Sequence, residues 1–294
     1  MKEYAYYPGC SLKSGSKHYE ESLLPVFKAA GVPYKELDDW NCCGATAYFS
    51  VNEAMAEAIC GRNLSIAEKD GADIIAPCGG CYLTMKKSNH FLGSGNDKAK
   101  KILKELKKAG CEYKGTVDVV HPVEVFAKEV GLEALKAKVT NPLKGLKVAS
   151  YYGCQVVRPY TDFDDPDYPT LMDALMEAMG AEAVDYPVKA RCCGGSIAGV
   201  MTDIGLALNY LLLKEAKRQG ADVIVTLCPL CQLNMEINQD KIIKKYKEDV
   251  KLPILYFTQL MGLGLGVAKE DLGFSRSIIP LDAMWAKLAN GGAK

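Results

Sequence analysis

Ten of the twelve cysteines in this 294-residue chain form one five-thiol pattern that occurs twice. Each copy contains a single cysteine, then a Cys-Cys-Gly triplet, then a Cys-x-x-Cys motif. Thiolates are soft ligands that suit zinc, copper(I) and iron–sulfur clusters. Two matched sets therefore predict two metal sites in a duplicated protein. The first set is Cys10, Cys42, Cys43, Cys78 and Cys81, and the second set is Cys154, Cys192, Cys193, Cys228 and Cys231.

Other thiol chemistries account for less of this pattern. A Cys-x-x-Cys motif that opens a helix is also typical of a thioredoxin-like redox pair, but such a pair leaves the adjacent cysteines unexplained. Structural zinc takes four ligands, so one thiol of each set would be left over. Because five thiolates exceed what one tetrahedral ion accepts, iron–sulfur clusters are favoured. Zinc in one or both halves stays an alternative. Cys60 and Cys111 lie outside the pattern, and we expect neither to bind metal.

The elements that must position the thiols repeat as well. In each half a short strand precedes the first cysteine, and later strands run into the Cys-Cys-Gly turn and the Cys-x-x-Cys motif. This alternation with helices predicts an α/β fold of two pseudo-symmetric, mostly parallel, Rossmann-like sheets flanked by helices. Because ligands gather at the carboxyl ends of parallel strands, the thiols of each set should converge there. We expect one domain over residues 1–143 and a second over 144–294.

Several helices have clear limits in the sequence. Apolar residues at helical spacing predict long helices at Asn52–Lys69 and Met201–Gln219, and each of these ends at Gly-Ala-Asp, a typical helix stop. A further helix is expected at Lys17–Ala30. The uncharged stretch Leu252–Ala268 is near the length that spans a bilayer, but its glycines favour a buried strand followed by a helix, so we expect no transmembrane segment.

Composition narrows the class of protein. Thirty-six basic residues balance thirty-six acidic ones, so nucleic-acid binding has no electrostatic basis. Apolar residues make up 49% of the chain, which suffices for folded cores. The N-terminal residues do not form a signal peptide, and we therefore expect a cytoplasmic protein, in which free thiols bind metal more often than they form disulfides.

The spacing of both thiol sets resembles the CCG-domain (cysteine-rich domain) family, and within it the B subunits of the heterodisulfide reductases of methanogenic archaea. The closing segment Leu255–Gly262 is similar to those subunits as well. The resemblance covers essentially the whole chain and both sets are intact. It implies two [4Fe-4S] clusters of non-cubane type, each ligated by one set. It also implies reduction of the coenzyme M–coenzyme B disulfide to two thiols between the two clusters.

The same resemblance implies partners. These are a ferredoxin-like iron–sulfur subunit and a flavin-bearing subunit, further linked to a hydrogenase or a formate dehydrogenase. This chain has no flavin or nucleotide fingerprint, so its electrons would come from another chain. The family leaves one alternative open, in which the chain is an electron-transfer and membrane-anchoring subunit of a succinate or related dehydrogenase that passes electrons to a quinone.

Both coenzymes carry anionic groups, so basic side chains near the thiol loops are candidates to bind the substrate. They are Lys86, Lys87, Arg158, Lys189 and Arg191. His121 stands at a predicted strand end and is a candidate proton donor, with a structural role as the alternative. Tyrosines flank the first thiol of each set, and we expect them to belong to the strand core; they are Tyr6, Tyr7, Tyr151 and Tyr152.

Overall fold

The chain forms two four-stranded sheets in the structure, a computed structural model that describes residues 1–45 and 48–291. Every strand pair is parallel. The strand orders, β2-β1-β3-β4 and β6-β5-β7-β8, are the same in both halves and confirm the expected duplicated α/β fold. The strands are β1 Tyr4–Tyr6, β2 Tyr34–Glu36, β3 Ile74–Ile75, β4 Val119–Val120, β5 Lys147–Tyr151, β6 Glu182–Ala183, β7 Val223–Thr226 and β8 Ile254–Tyr256.

Helices connect successive strands, as parallel pairing requires. The first half contains α1 Gly9–Leu12, α2 Lys17–Ala30, α3 Tyr48–Val51, α4 Glu53–Asp70, α5 Gly79–Gly93, α6 Asp97–Lys108, α7 Pro122–Glu124 and α8 Leu132–Lys136, with a π-helical segment, Val125–Gly131, between the last two. The second half contains α9 Leu171–Ala178, α10 Thr202–Arg218, α11 Pro229–Ile237, α12 Gln239–Tyr246, α13 Phe257–Gly264 and α14 Asp282–Gly291, and 3-10 turns at Lys269–Leu272 and Phe274–Arg276.

The long helices begin and end close to where the sequence predicts. The expected helix at 17–30 is confirmed as α2, and those at 52–69 and 201–219 are confirmed as α4 and α10. The Asn52 side chain caps α4 by accepting a hydrogen bond from the backbone N–H of Met55. Gly71 ends α4 in the left-handed region, at φ +68°, and its N–H bonds back to the last turn.

The uncharged stretch 252–268 is internal to the fold. It forms β8 and α13, whose residues are mostly buried, which confirms the expected strand and helix. Within residues 1–45 and 48–291, no helix is both long and apolar enough to cross a membrane.

The chain divides into two compact units. The first contains residues 1–15 and 32–122, and the second contains residues 16–31 and 123–294. Helix α2 therefore belongs to the second unit although it follows β1 in the sequence. The limits 1–143 and 144–294 describe the sequence repeat, and as domain limits they stay a prediction.

Within the second unit, α2 packs through aromatic and polar contacts. The Tyr19 ring stacks on the Tyr256 ring at a centroid distance of 4.0 Å. The hydroxyls of Ser22 and Thr258 lie 2.6 Å apart in a buried position. Phe27 is fully buried and its ring centroid lies 5.6 Å from that of Phe126. Aromatic pairs of this kind add about 0.5–1.5 kcal/mol to the burial of their area.

The Phe27→Ala variant tests this packing. Removal of a fully buried phenyl ring leaves a cavity in the second unit, and we expect the free energy of unfolding to fall by about 3–5 kcal/mol. Leu211→Ala is the matched control, because Leu211 is 57% exposed on α10 and its loss should change the free energy by less than about 0.5 kcal/mol. Guanidinium unfolding of both variants measures the difference. Equal losses would contradict the packing of α2.

Candidate metal centres

The first thiol set lies at the carboxyl ends of three strands of the first sheet. Cys10 lies in α1, directly after β1. Cys42 and Cys43 lie in the loop after β2. Cys78 is the N-cap of α5 and Cys81 lies in its first turn, after β3. These strands are neighbours in the sheet, so residues up to 71 positions apart in sequence meet at one edge.

The second set repeats this arrangement in the second unit. Cys154 follows β5, and Cys192 and Cys193 follow β6. Cys228 is the N-cap of α11, after β7, and Cys231 lies in the first turn of that helix. The Cys-x-x-Cys motif thus opens a helix in both units, as the sequence predicts.

The structure brings the five thiols of the first set together. The sulfurs of Cys10 and Cys42 are 3.8 Å apart, and those of Cys43 and Cys81 are 3.2 Å apart. Hydrogen bonding to Cys43 and then to Cys78 raises the pKa of Cys81, which places Cys78 in the same cluster.

The second set is gathered in the same way. The sulfurs of Cys193 and Cys231 are 3.4 Å apart. Burial, followed by the charge of Cys192, raises the pKa of Cys154. Hydrogen bonding to Cys193 and then to Cys228 raises the pKa of Cys231. Both predicted ligand sets are therefore spatial clusters, and their binding of metal stays a prediction.

One thiol in each set carries negative charge most readily. Hydrogen bonding to Cys42 and then to Cys81 lowers the pKa of Cys43. Hydrogen bonding to Cys231 lowers the pKa of Cys193 in the second set. The thiolate is the form that ligates metals, and in each set the hydrogen bonds from neighbouring thiols favour this form of one cysteine.

The Cys-Cys-Gly turns depend on glycine. Gly44 and Gly194 have φ values of +77° and +76°, which residues with a side chain rarely adopt. In the second unit, the N–H of Gly194 donates to the Cys192 sulfur at 3.2 Å, and the N–H of Gly195 donates to the Cys193 sulfur at 3.3 Å. Such backbone donors stabilise thiolate charge.

A second glycine in each unit keeps space beside the sulfurs. A Cβ atom at Gly9 would lie 3.1 Å from the Cys81 sulfur, and one at Gly153 would lie 3.4 Å from the Cys231 sulfur. Both glycines also have positive φ values, +66° and +72°. A side chain at Gly9 would be both crowded and strained, whereas at Gly153 the backbone conformation is the main obstacle, because a 3.4 Å contact is ordinary.

The clusters are open on one side. Cys10, Cys42 and Cys192 are exposed and Cys154 is half-buried, whereas the other ligand candidates are buried. The thiols approach one another in pairs. Among the residues that the structure describes, no group of three or more Cys, His, Asp or Glu side chains is arranged to hold a single metal ion.

Five soft donors, backbone N–H groups directed at sulfur and the space kept by glycine fit a cluster that takes thiolates at separate irons. The residues that would hold such a group are the two predicted sets.

Sequence reasoning missed side chains that hold the Cys-Cys loops. In the first unit the Cys60 thiol donates to the carbonyl oxygen of Cys43 at 3.0 Å, and in the second unit the Asn234 amide donates to that of Cys193 at 2.9 Å. Cys60 is buried, as expected for a cysteine outside the pattern. Asn234 stands one helical turn after Cys231, and this spacing is the signal that could have identified it. Cys111 is half-buried, and its sulfur lies 3.9 Å from the Ala109 carbonyl oxygen.

Two of the five candidate substrate-binding cations are buried. The Lys189 ammonium pairs with Asp173 at 2.8 Å and lies 4.4 Å from the centre of the Tyr168 ring. The Lys86 ammonium lies 3.4 Å from the carbonyl oxygen of Val119. Only 2% of the Lys189 side chain and 4% of the Lys86 side chain are exposed, which favours structural roles for both.

The other three cations are more accessible. Arg158 is half-buried, and its guanidinium donates to the carbonyl oxygens of Pro166 and Ala190. Lys87 is exposed and lies 5.6 Å from the centre of the Phe49 ring. Arg191 is exposed and directly precedes Cys192. Arg191 is therefore the candidate cation whose position best suits an anion beside the second thiol set.

The candidate proton donor, His121, is fully buried. Its Nε2 atom lies 2.8 Å from the carbonyl oxygen of Pro77, the residue before Cys78. This contact holds the loop that leads into α5. A proton-donating role for His121 stays a prediction.

Comparison with known families shows two matches within this chain. The CCG family, described as a cysteine-rich domain, matches residues 4–86 and 148–236, which contain all ten cysteines of the two sets. A solved structure, that of a hypothetical protein from Helicobacter pylori, has a TM-score of 0.72 over 94% of this chain at 16% identity. This chain spans about half of that protein (51%). Because only 16% of the aligned residues are identical, the likeness shows the fold alone.

Two curated relatives align over nearly their whole length. The B subunit of the ferredoxin/F420H2-dependent CoB-CoM heterodisulfide reductase of Methanosarcina acetivorans is 33% identical over 98% of this chain and 97% of its own. The 8-methylmenaquinol:fumarate reductase membrane anchor subunit of Wolinella succinogenes is 31% identical over 95% of this chain and 98% of its own. The chain is thus similar to subunits of two different oxidoreductases.

The Gly9→Ala variant tests the space beside the first thiol set. A methyl group there would meet the Cys81 sulfur and the Tyr7 ring, both at 3.1 Å, and would add left-handed strain of about 1–2 kcal/mol. We expect anaerobically purified Gly9→Ala protein to lose about half of its bound metal. Gly15→Ala is the control, since a Cβ atom at Gly15 has nothing within 4 Å. Unchanged metal content in Gly9→Ala would argue against metal at this set.

Proposed function

The chain belongs to the CCG cysteine-rich domain family, and on that premise we propose that it is the iron–sulfur subunit of a heterodisulfide reductase that reduces the coenzyme M–coenzyme B disulfide to two thiols. The observation that carries this proposal is the repeated gathering of five thiols at the strand ends of both units. Similarity to the B subunit of a heterodisulfide reductase over 98% of the chain supports it.

Each thiol set would hold one [4Fe-4S] cluster, which we propose is non-cubane because five thiolates are available to it. When bound, two such clusters supply single electrons, and cleavage of a disulfide needs two. Cys43 and Cys193 provide the thiolates that form most readily. The N–H groups of Gly194 and Gly195 offset negative charge at the second set.

The exposed side of each thiol set gives a small disulfide a place to approach. Cys10 and Cys42 are exposed in the first set, as is Cys192 in the second. Buried Cys43 and Cys193 lie behind them, away from water. Arg191, exposed beside Cys192, would attract the sulfonate, phosphate or carboxylate of the substrate.

Electrons would reach this subunit from other chains. The relatives from Methanosarcina are named as subunits of larger reductases, which supports membership of a complex. We propose a ferredoxin-like iron–sulfur subunit as the direct partner and a flavin-bearing subunit behind it, further linked to a hydrogenase or a formate dehydrogenase.

A second candidate function is electron transfer to or from a quinone within a succinate or fumarate reductase type of complex. Similarity to the membrane anchor subunit of the Wolinella fumarate reductase, 31% over 95% of this chain, favours this alternative. The two functions share the cluster sites and differ in the molecule that exchanges electrons with them.

Anaerobic analysis of the purified chain tests the proposal. We expect about eight irons and eight acid-labile sulfides per chain, two four-iron clusters, and EPR signals that change when the coenzyme M–coenzyme B disulfide is added. Reduction of that disulfide by a reduced viologen dye, without reaction with a menaquinol analogue, supports the reductase. The reverse pattern supports the quinone-linked alternative, and zinc in place of iron contradicts both.

The Cys193→Ala variant should lose the second cluster. Its sulfur is buried and lies 3.4 Å from that of Cys231, so we expect about half of the iron to remain and disulfide reduction to be abolished. The first unit should stay folded with its EPR signal. Cys111→Ser is the matched control, because Cys111 lies outside both sets and should be replaced without loss of iron. Iron loss in the control would mean that the ligand assignment is incomplete.

The Arg191→Ala variant tests the substrate cation. Loss of one charge-assisted hydrogen bond to an anionic substrate should raise KM for the disulfide about tenfold, with kcat and iron content little changed. Arg218→Ala is the control, since Arg218 is an exposed arginine in the same unit that pairs with Glu215 on α10. Equal KM values in both variants would remove Arg191 from the binding site.

A further inference from the structure

A buried tyrosine stands three residues before the first thiol of each set. The Tyr7 hydroxyl donates to the carbonyl oxygen of Asn41 at 2.8 Å, and the Tyr151 hydroxyl donates to that of Arg191 at 2.6 Å. Asn41 and Arg191 directly precede the two Cys-Cys pairs. The same hydrogen bond therefore occurs at the same position of both repeats, in two separate units.

We propose that Tyr7 and Tyr151 are positioning residues for the two clusters, an inference that rests on the proposed function. Each phenol ties the Cys-Cys loop to the strand end that carries the first thiol of the same set. Two of the three thiol-bearing segments are thereby held in register by one hydrogen bond.

The burial of both side chains supports this role. Tyr7 and Tyr151 have no exposed surface, and a buried phenol hydroxyl usually has a hydrogen-bond partner. Tyr151 is the last residue of β5, and Tyr7, directly after β1, donates its N–H to the Ile75 carbonyl oxygen of β3 at 3.0 Å, so both backbones are held by the sheet. The Cys-Cys loops form neither helix nor strand, so their position depends on side-chain bonds such as these.

Each phenol also lies beside the Cys-x-x-Cys sulfur of its set. A Cβ atom at Gly153 would lie 3.6 Å from the Tyr151 hydroxyl oxygen and 3.4 Å from the Cys231 sulfur. At Gly9 the corresponding contacts are to the Tyr7 ring and the Cys81 sulfur, both at 3.1 Å. The tyrosine thus touches the region where all three segments of the set meet.

The two units differ in how many side chains, besides the tyrosine, hold the residue before the Cys-Cys pair. The Asn41 carbonyl oxygen accepts a second hydrogen bond from the Asn63 amide at 2.9 Å, and the Asn41 N–H donates to the Asn63 side chain at 3.0 Å. For the Arg191 carbonyl, the part of the chain that the structure describes contains no donor besides Tyr151. Removal of the hydroxyl should therefore disturb the second set more than the first.

Tyr151→Phe in the full-length, anaerobically purified chain tests the inference, because it removes the hydroxyl and keeps the ring. A chelator should extract about half of the iron some three- to tenfold faster than from the parent, the range expected for one buried hydrogen bond. The EPR signature of the second cluster should change as well. Tyr7→Phe should have a smaller effect on the other half of the iron.

Tyr186→Phe is the matched control. Tyr186 is fully buried in the same unit, and its hydroxyl donates to the carbonyl oxygen of Leu212 in α10 at 3.0 Å, a bond of the same kind that does not reach the residue before the Cys-Cys pair. We expect parental iron release and EPR from this variant. If Tyr151→Phe and Tyr186→Phe behave alike, the positioning role is overturned.

A measurement on metal-free protein separates this inference from the proposed function. Cadmium alone, titrated into the reduced metal-free chain and followed by thiolate absorption, should bind about half of its sites some three- to tenfold more weakly in Tyr151→Phe than in Tyr186→Phe. A parent chain without iron would refute the cluster proposal, yet a difference in cadmium affinity would still support the positioning role. Equal affinities would refute that role.

Discussion

The close approach of sulfurs that repel one another when ionised is the constraint on which this structure depends. Cys43 and Cys81 lie 3.2 Å apart, and Cys193 and Cys231 lie 3.4 Å apart, in largely buried positions. Two charges so close and so far from water are costly, so the pKa of one sulfur in each pair is lowered and that of its neighbour is raised. The parallel sheet supplies the rigid frame, because its neighbouring strands end at one edge.

The two repeats hold their Cys-Cys pairs in place with different side chains. The carbonyl of the second cysteine in the pair accepts from a thiol, Cys60, in the first unit and from an amide, Asn234, in the second. The loop before the pair is held by Asn63 in the first unit. In the second, the Lys189 carbonyl accepts from the N–H of Gly153, while the Lys189 ammonium pairs with Asp173.

The Lys189–Asp173 pair shows that a basic residue near the thiols in sequence does not necessarily bind substrate. Lys189 lies close to the thiols in sequence, yet its ammonium is buried against Asp173, and breaking such a pair leaves an uncompensated charge. Arg191, two residues further on, has an exposed side chain. Within one loop, the Lys189 side chain is buried and the Arg191 side chain is exposed. Only Arg191 is therefore accessible to an anionic ligand in solution.

The sequence by itself determined which thiols gather in each set, the strand and helix order and most helix limits, because cysteine spacing, apolar periodicity and helix-stopping glycines are local signals. It did not determine that α2 packs in the second unit, that Lys189 is paired inside the core, or that the tyrosines before the first thiols bond to the Cys-Cys loops. Each of these depends on contacts between residues distant in the chain: Tyr19 with Tyr256, Lys189 with Asp173, and Tyr151 with Arg191. Only the folded chain brings such partners within bonding distance.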